Sequence, residues 1–187
     1  MSFEFIKLTI EGPLLIKPKV HSDDRGFFIE SFKASEFLKQ GIPNHFLQSN
    51  HSKSNKNVLR GLHFQIHPKA QGKLLRVISG KVFDVIVDIR KGSASYGKWV
   101  GTELSADNKH ILWIPEGFAH GVAFLEDNTE LLYNTTQEYS TEHERSIQWN
   151  DPTLNIQWPI TKPILSNKDA MAPLFEDCEN NFYSKPQ

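Results

Sequence analysis

Ten short runs rich in β-branched and aromatic residues follow one another along the chain, and almost nothing between them has helical period. They are Leu14–Val20, Phe27–Phe32, His45–Asn50, Val58–Gln65, Lys73–Ser79, Val82–Ile89, Trp99–Leu104, His110–Ile114, Gly121–Leu125 and Thr129–Thr136. Gly, Pro, Asn and Asp punctuate them. A sheet must bury a face against another layer, so many strands with few helices imply a β-sandwich or small barrel. Alternation is sharpest at Phe83, Val85, Val87 and Ile89, which share one face of a strand at period two. Ser79-Gly80-Lys81 reads as a tight hairpin turn. Only Ala34–Gln40 has helical composition early in the chain, and Gly41 and Pro43 end it. The proline-containing tail beyond Trp158 reads as a segment that wraps the barrel with short helical turns. The expected class is all-β with a few short helices, mainly C-terminal, and residues 1–187 are expected to form one domain.

Composition narrows the function. A formal net charge of −1 provides no basic field for nucleic acid. The one cysteine, Cys178, cannot build an internal disulfide framework and fits a reducing compartment. Met1-Ser2-Phe3-Glu4 lacks the features of a secretory signal, and no apolar run reaches membrane-spanning length. A cytoplasmic protein with no membrane and no nucleic-acid partner is expected.

The chemistry concentrates in Val58-Leu59-Arg60-Gly61-Leu62-His63-Phe64-Gln65. Arg60 offers a fork of donors suited to phosphate or carboxylate, and His63 can move a proton near neutral pH. On an unbroken strand, Gly61, His63 and Gln65 share one face while Arg60, Leu62 and Phe64 share the other. Arg60 and His63 could then not serve one site. A glycine inside a strand often marks a bulge, so a bulge or kink is predicted at Gly61. A hydrogen-bonded core histidine would fit the same residues. Lys73, opening the next strand after Gln71-Gly72, could meet phosphate or polarise a carbonyl. In Ile114-Pro115-Glu116-Gly117-Phe118-Ala119-His120-Gly121, Pro115 and Gly117 make a turn that leads His120 into a strand. Pro-x-Gly-x-x-His is half of the cupin signature. Tyr133 could act as a general acid toward an enolate, or pack as a buried body with a hydrogen-bonded tip. Asp169 could orient an imidazole or cap a helix, and no spacing rule links it to His63. Metal-binding cupins use His-x-His, which His63-Phe64-Gln65-Ile66-His67 breaks, and the cations Arg60 and Lys73 lie close by in sequence. No metal and no cofactor are expected.

These motifs, taken in order, resemble those of the dTDP-4-dehydrorhamnose 3,5-epimerase family. The resemblance runs from about Pro18 to Pro173. It is carried by Asp24-Arg25-Gly26-Phe27-Phe28-Ile29-Glu30, Gln48-Ser49-Asn50-His51-Ser52, Val58–His63, Gln71-Gly72-Lys73 and Gly80–Val85. The second half adds Ile114–Gly121, Trp149-Asn150-Asp151-Pro152 and Leu165–Asp169. The family implies a metal-free cupin-type jelly-roll barrel, a homodimer in which an N-terminal strand exchanges, and a nucleotide-sugar substrate. Its reaction inverts C3 and C5 of a dTDP-linked 4-keto-6-deoxyglucose through an enolate.

By matched position, the resemblance makes His63 the base, Asp169 its orienting partner, Tyr133 the acid on the opposite face and Lys73 the group that stabilises the enolate. It gives Arg60 and His120 sugar and diphosphate contacts, and Gln48, Asn50 and Lys168 nucleotide contacts. Arg25 and Glu30 would reach the partner's nucleotide, Tyr139 would stack on thymine, and Glu144 would be a polar site residue. Two positions depart from the pattern. Asn57 stands where glycine is common, although Asn tolerates left-handed backbone, and Val122 replaces a common phenylalanine. Three alternatives remain open: an epimerase acting at C3 or C5 only, a sugar-nucleotide 3,4-ketoisomerase on the same barrel, and a non-catalytic nucleotide-sugar-binding cupin.

Overall fold

The computed structural model describes residues 2–184 and is built from two antiparallel sheets packed face to face. The first, in spatial order, holds β1 (Phe3–Lys7), β2 (Leu14–Pro18), β10 (Ile111–Ile114), β7 (Lys73–Ser79), β12 (Thr129–Thr135) and β5 (Gln48–Ser54). The second holds β13 (Glu144–Ser146), β6 (Leu59–Gln65), β11 (Phe118–Phe124), β8 (Lys81–Asp88) and β9 (Trp99–Ser105). From β5 to β8 each successive strand changes sheet, which is the jelly-roll way of closing a barrel without long open edges. A separate two-stranded ribbon, β3 (His21–Asp23) and β4 (Gly26–Phe28), leaves Phe27 and Phe28 exposed, with the Lys109 ammonium 4.4 Å from the Phe27 ring centre. One short helix, α1 (Ala34–Phe37), continues into a 3-10 turn at Leu38–Gln40, and the other, α2 (Asn167–Ala170), lies near the C-terminal end.

The sheets bury three apolar layers. Between them lie Leu75, Val77, Ile86, Leu112, Phe124 and Leu131, among others, filling one end of the barrel. On the outer face of the first sheet, Ile16, Leu74, Ile111 and Trp113 pack under Phe37 and Ile42 from the α1 region. On the outer face of the second, Leu62, Phe64, Val85 and Val87 pack under Ile147, Leu154, Ile156, Phe175 and Phe182. Each fully buried side chain of this size contributes on the order of 1.5–3 kcal/mol. The period-two set in β8 thus faces outward, under the C-terminal chain. The alternate set, Val82, Asp84 and Ile86, faces the barrel interior, so β8 is buried on both sides.

Three sequence expectations change. Ser79-Gly80-Lys81 is a tight turn but not a hairpin: β7 pairs with β10 and β12, while β8 pairs with β11 and β9. The turn carries the chain from one sheet to the other. Gly80 sits at φ +74° with the Thr129 side chain so close that a Cβ would lie 2.2 Å from its Oγ1, which only glycine permits. The run Phe27–Phe32 yields only the ribbon strand β4, and His45–Asn50 begins its strand at Gln48. The bulge at Gly61 is present. His120 pairs with His63 and Val122 with Arg60, so three steps of β6 oppose two of β11. Asn57 is left-handed at φ +68°.

Candidate active site

The bulge decides what the barrel can do. The extra residue in β6 returns Arg60 to the interior face that His63 occupies, and both line one cavity of about 390 Å³. On β7, Lys73 faces inward at the strand's open end, ahead of Leu75 and Val77 in the core. On β12, Tyr133 faces inward ahead of Leu131. β11 adds His120, and α2 adds Asp169. A second cavity of about 360 Å³ continues past His63, Lys73 and Tyr133 to Gln48, Asn50, Tyr139 and Glu144. The interior is therefore apolar at one end and polar at the other, and the three shared residues stand between the two chambers.

His63 Nε2 donates to Asp169 Oδ1 at 2.5 Å. Asp169 is buried, with 5% of its side chain exposed. Burial alone would raise its pKa, but the hydrogen bond and charge of His63, the Ser166 hydroxyl and the Gly61 N–H together hold it below the usual carboxylate range. Ser166 is the N-cap of α2. Its Oγ accepts from the Asp169 N–H at 3.1 Å and donates to Asp169 Oδ2 at 2.7 Å. With Nε2 committed to the carboxylate, Nδ1 is the His63 atom left to accept a proton.

Lys73 is enclosed by the barrel. Burial lowers its pKa to about 8, opposed by the charges of Asp84 and Glu144. Its ammonium makes one long hydrogen bond, to the His63 carbonyl at 3.4 Å. Burial raises the Tyr133 phenol above its ordinary value against the pull of the Arg60 guanidinium, so the phenol is a proton donor across the neutral range. Arg60 is held in place by Ser54 Oγ, which accepts from Nε and Nη2 at 3.2 and 3.1 Å. His120 Nε2 donates to Asp84 Oδ2 at 2.8 Å, and burial keeps the His120 pKa low.

The rim is a connected polar chain. Gln48 Nε2 donates to Asn50 Oδ1, and Gln48 Oε1 accepts from the Tyr139 N–H, both at 2.8 Å. The Tyr139 hydroxyl donates to Glu144 Oε2 at 2.6 Å, and Glu144 ion-pairs with Lys168. Arg25 and Glu30 lie outside both cavities. Arg25 is exposed on the β3–β4 ribbon, bonded to Asp23, and Glu30 follows the ribbon near Lys33. Three residues carry no role in the sequence reading yet shape the site: Asp84 behind His120, Ser166 beneath Asp169, and Gln65. Buried Gln65 ties the Tyr139 loop to β6 through Ser140 N and Glu138 O. Local signals existed for each. An aspartate interrupts an apolar strand, Ser-x-x-Asp opens a helix, and Gln65 shares the His63 face at period two. Among the described residues, no group of three or more His, Cys, Asp or Glu is arranged to hold a metal ion, and no helix is long and apolar enough to cross a membrane.

Comparison with known proteins places this geometry. The family model for dTDP-4-dehydrorhamnose 3,5-epimerase matches residues 7–177. The enzyme of that name from Shigella flexneri is 53% identical over 175 residues, covering 93% of this chain and 97% of its own. The solved dTDP-6-deoxy-D-glucose-3,5-epimerase of Legionella pneumophila, in complex with dTDP-4-keto-L-rhamnose, is 46% identical with a TM-score of 0.90, covering 94% of each chain. A 3'-monoepimerase of Streptomyces bikiniensis, in complex with dTDP-quinovose, is 32% identical with a TM-score of 0.87, covering 91% of this chain and 87% of its own.

Proposed function

Since the chain belongs to the dTDP-4-dehydrorhamnose 3,5-epimerase family, we propose that it inverts C3 and C5 of dTDP-4-dehydro-6-deoxy-D-glucose to give dTDP-4-dehydro-L-rhamnose. The observation that carries the reading is the His63–Asp169 pair, 2.5 Å apart, sharing one cavity with Lys73 and Tyr133. A binding module has no use for a base and an acid in one cavity.

The chemistry follows from the ketone. Hydrogens on C3 and C5 are acidic because each carbanion delocalises onto the C4 oxygen. His63, oriented by Asp169, takes the proton at Nδ1, and the carboxylate stabilises the imidazolium that forms. The Lys73 ammonium donates to the C4 oxygen as negative charge grows there. A planar enolate can then be reprotonated from the other side, where the Tyr133 phenol is the donor and Arg60 stabilises the phenolate left behind. Arg60 and His120 hold sugar and diphosphate, Gln48, Asn50 and Lys168 hold the nucleotide, Tyr139 stacks on thymine and Glu144 fixes the rim. Arg25 and Glu30, which lie away from both cavities on their own chain, are given by the family resemblance a reach to another copy's nucleotide. That role requires a homodimer as the working unit. A cytoplasmic location suits the single free thiol of Cys178.

The monoepimerase reading is the serious alternative, since the Streptomyces bikiniensis protein has the same fold. Solvent exchange separates them. In heavy water with dTDP-4-keto-6-deoxyglucose, deuterium at both C3 and C5 of the trapped product is expected, and His63→Ala should bind dTDP yet incorporate none. Label at one carbon would make this a single-site epimerase. No label despite nucleotide binding would leave a binding protein.

A further inference from the structure

The proposed mechanism leaves one ionisable group in the barrel without a task. Asp84 is fully buried on β8, and its Oδ1 is the one buried side-chain nitrogen or oxygen among the described residues with no hydrogen-bond partner. Its Oδ2 is fixed by His120, its diagonal neighbour on β11. It does not line the cavity but stands behind it, within charge–charge range of Lys73. Lys73 is its counterpart: among the described residues, no carboxylate lies within ion-pair distance of the ammonium, and its one hydrogen bond is the long one to the His63 carbonyl.

A half-buried cation and a fully buried carboxylate that lie within charge–charge range without touching have a defined electrostatic consequence. The groups around Lys73 are Asp84 on β8, His120 on β11, Arg60 and His63 on β6, Tyr133 on β12, Glu144 on β13, and Lys168 and Asp169 on α2, with the Asp169 carboxylate engaged by His63 and Ser166. Glu144 is engaged by Lys168 and by the Tyr139 hydroxyl, so much of its field is cancelled. Burial keeps the His120 pKa low, and it raises the Asp84 pKa against the pull of His120 and Lys73. That leaves Asp84 as the negative charge acting on Lys73 from inside the barrel. Its distance matters as much as its sign. A carboxylate touching the ammonium would occupy the donors that an enolate oxygen needs. One set behind His120 supplies the field and leaves the N–H groups free.

We propose that Asp84 is a positioning residue: its carboxylate is the resident counter-charge that keeps Lys73 protonated in the barrel, while its second oxygen anchors His120. The proposal rests on the reading of Lys73 as the enolate stabiliser, and its electrostatic part can be measured without substrate. Asp84→Asn keeps the shape and an oxygen for His120 but removes the charge. In lysine-labelled protein, with Lys73→Arg used to assign the signal, NMR titration should show the Lys73 midpoint falling by about one pH unit or more in Asp84→Asn. The alkaline limb of kcat should fall with it, which a purely structural role would not produce. A folded Asp84→Asn variant with an unmoved Lys73 midpoint would overturn the proposal. A moved midpoint with an unmoved kcat limb would uphold the electrostatic assignment and sink the role given to Lys73 in turnover. Should Asp84→Asn fail to fold, carboxyl carbon NMR of the wild-type chain decides the matter. An ionised Asp84 at pH 7 whose signal responds to Lys73 deprotonation upholds the proposal, and a protonated Asp84 at that pH refutes it.

Discussion

Gly61→Ala is the substitution that most directly tests how this site is built. Gly61 sits at φ +122°, a region that L-residues rarely adopt, and holding alanine there costs about 1–3 kcal/mol. The added Cβ would also lie 2.6 Å from both Gly121 Cα and the His120 carbonyl oxygen. Both are backbone atoms of β11, so no side-chain rotation relieves the clash, and forced repacking of this kind adds about 1–3 kcal/mol more. The sum, about 2–6 kcal/mol, is a large share of the 5–15 kcal/mol typical of a folded domain. For a chain of this length it corresponds to a Tm loss of roughly 5–20 °C. Gly41→Ala is the control. Gly41 is also left-handed, at φ +75°, but a Cβ there meets nothing within 4 Å, so about 1 kcal/mol is expected. Urea denaturation followed by tryptophan fluorescence measures both variants. The loss in Gly61→Ala should be several times that in Gly41→Ala. Turnover should also collapse, because a β6 driven out of the bulged backbone would put Arg60 and His63 on opposite faces. Equal stability losses, or normal turnover in a stable Gly61→Ala chain, would refute the claim that the bulge assembles the site.

Asp169→Asn should lower kcat by about 10²–10⁴-fold with dTDP affinity little changed, because the amide no longer fixes the His63 tautomer or stabilises its charged form. A kcat within threefold of wild type, measured in a reductase-coupled assay, would remove Asp169 from the mechanism. The pH profile should carry an alkaline limb near Lys73's lowered pKa of about 8. The needed ammonium is present below that value and lost above it, so activity declines as pH rises through it. Lys73→Arg, which does not titrate there, should retain some activity and lose that limb; a limb that persists unchanged would assign it to another group.

How much of this was legible in the sequence depends on the range of each interaction. The strands were readable because alternation is local: Phe83, Val85, Val87 and Ile89 announce a strand within eight residues of text. The bulge was readable for the same reason, since a glycine inside a strand supplies the positive-φ backbone that side-chain-bearing residues rarely adopt and so often marks a bulge. What alternation cannot say is which layer covers a face. The apolar set of β8 faces the C-terminal chain, and the set carrying Asp84 faces the barrel. A tight turn at Gly80 likewise fixes a reversal of direction but not the sheet that the next strand joins. Short elements were lost too: β1, the ribbon strand β3 and β13 run only three to five residues, too few for a pattern to emerge from their charged and polar neighbours.

The catalytic pairing lies at the far end of this scale. His63 and Asp169 are 106 residues apart, and spacing gave no reason to join them; resemblance to the family did. Yet the local physics that makes the pairing usable was written beside Asp169. Ser166-Asn167-Lys168-Asp169 has the spacing of a capping box, and the helix cap and the catalytic orientation turn out to be one arrangement rather than competing readings. Ser166 fixes Oδ2, the Gly61 N–H supplies a further hydrogen bond, and His63 takes Oδ1. The glycine that makes the bulge thus serves twice. It swings Arg60 into the cavity, and it presents a backbone donor to the carboxylate that orients His63. An insertion or deletion of one residue in β6 would therefore break both functions together, whereas Ser166→Ala would loosen Asp169 alone and leave Arg60 in place.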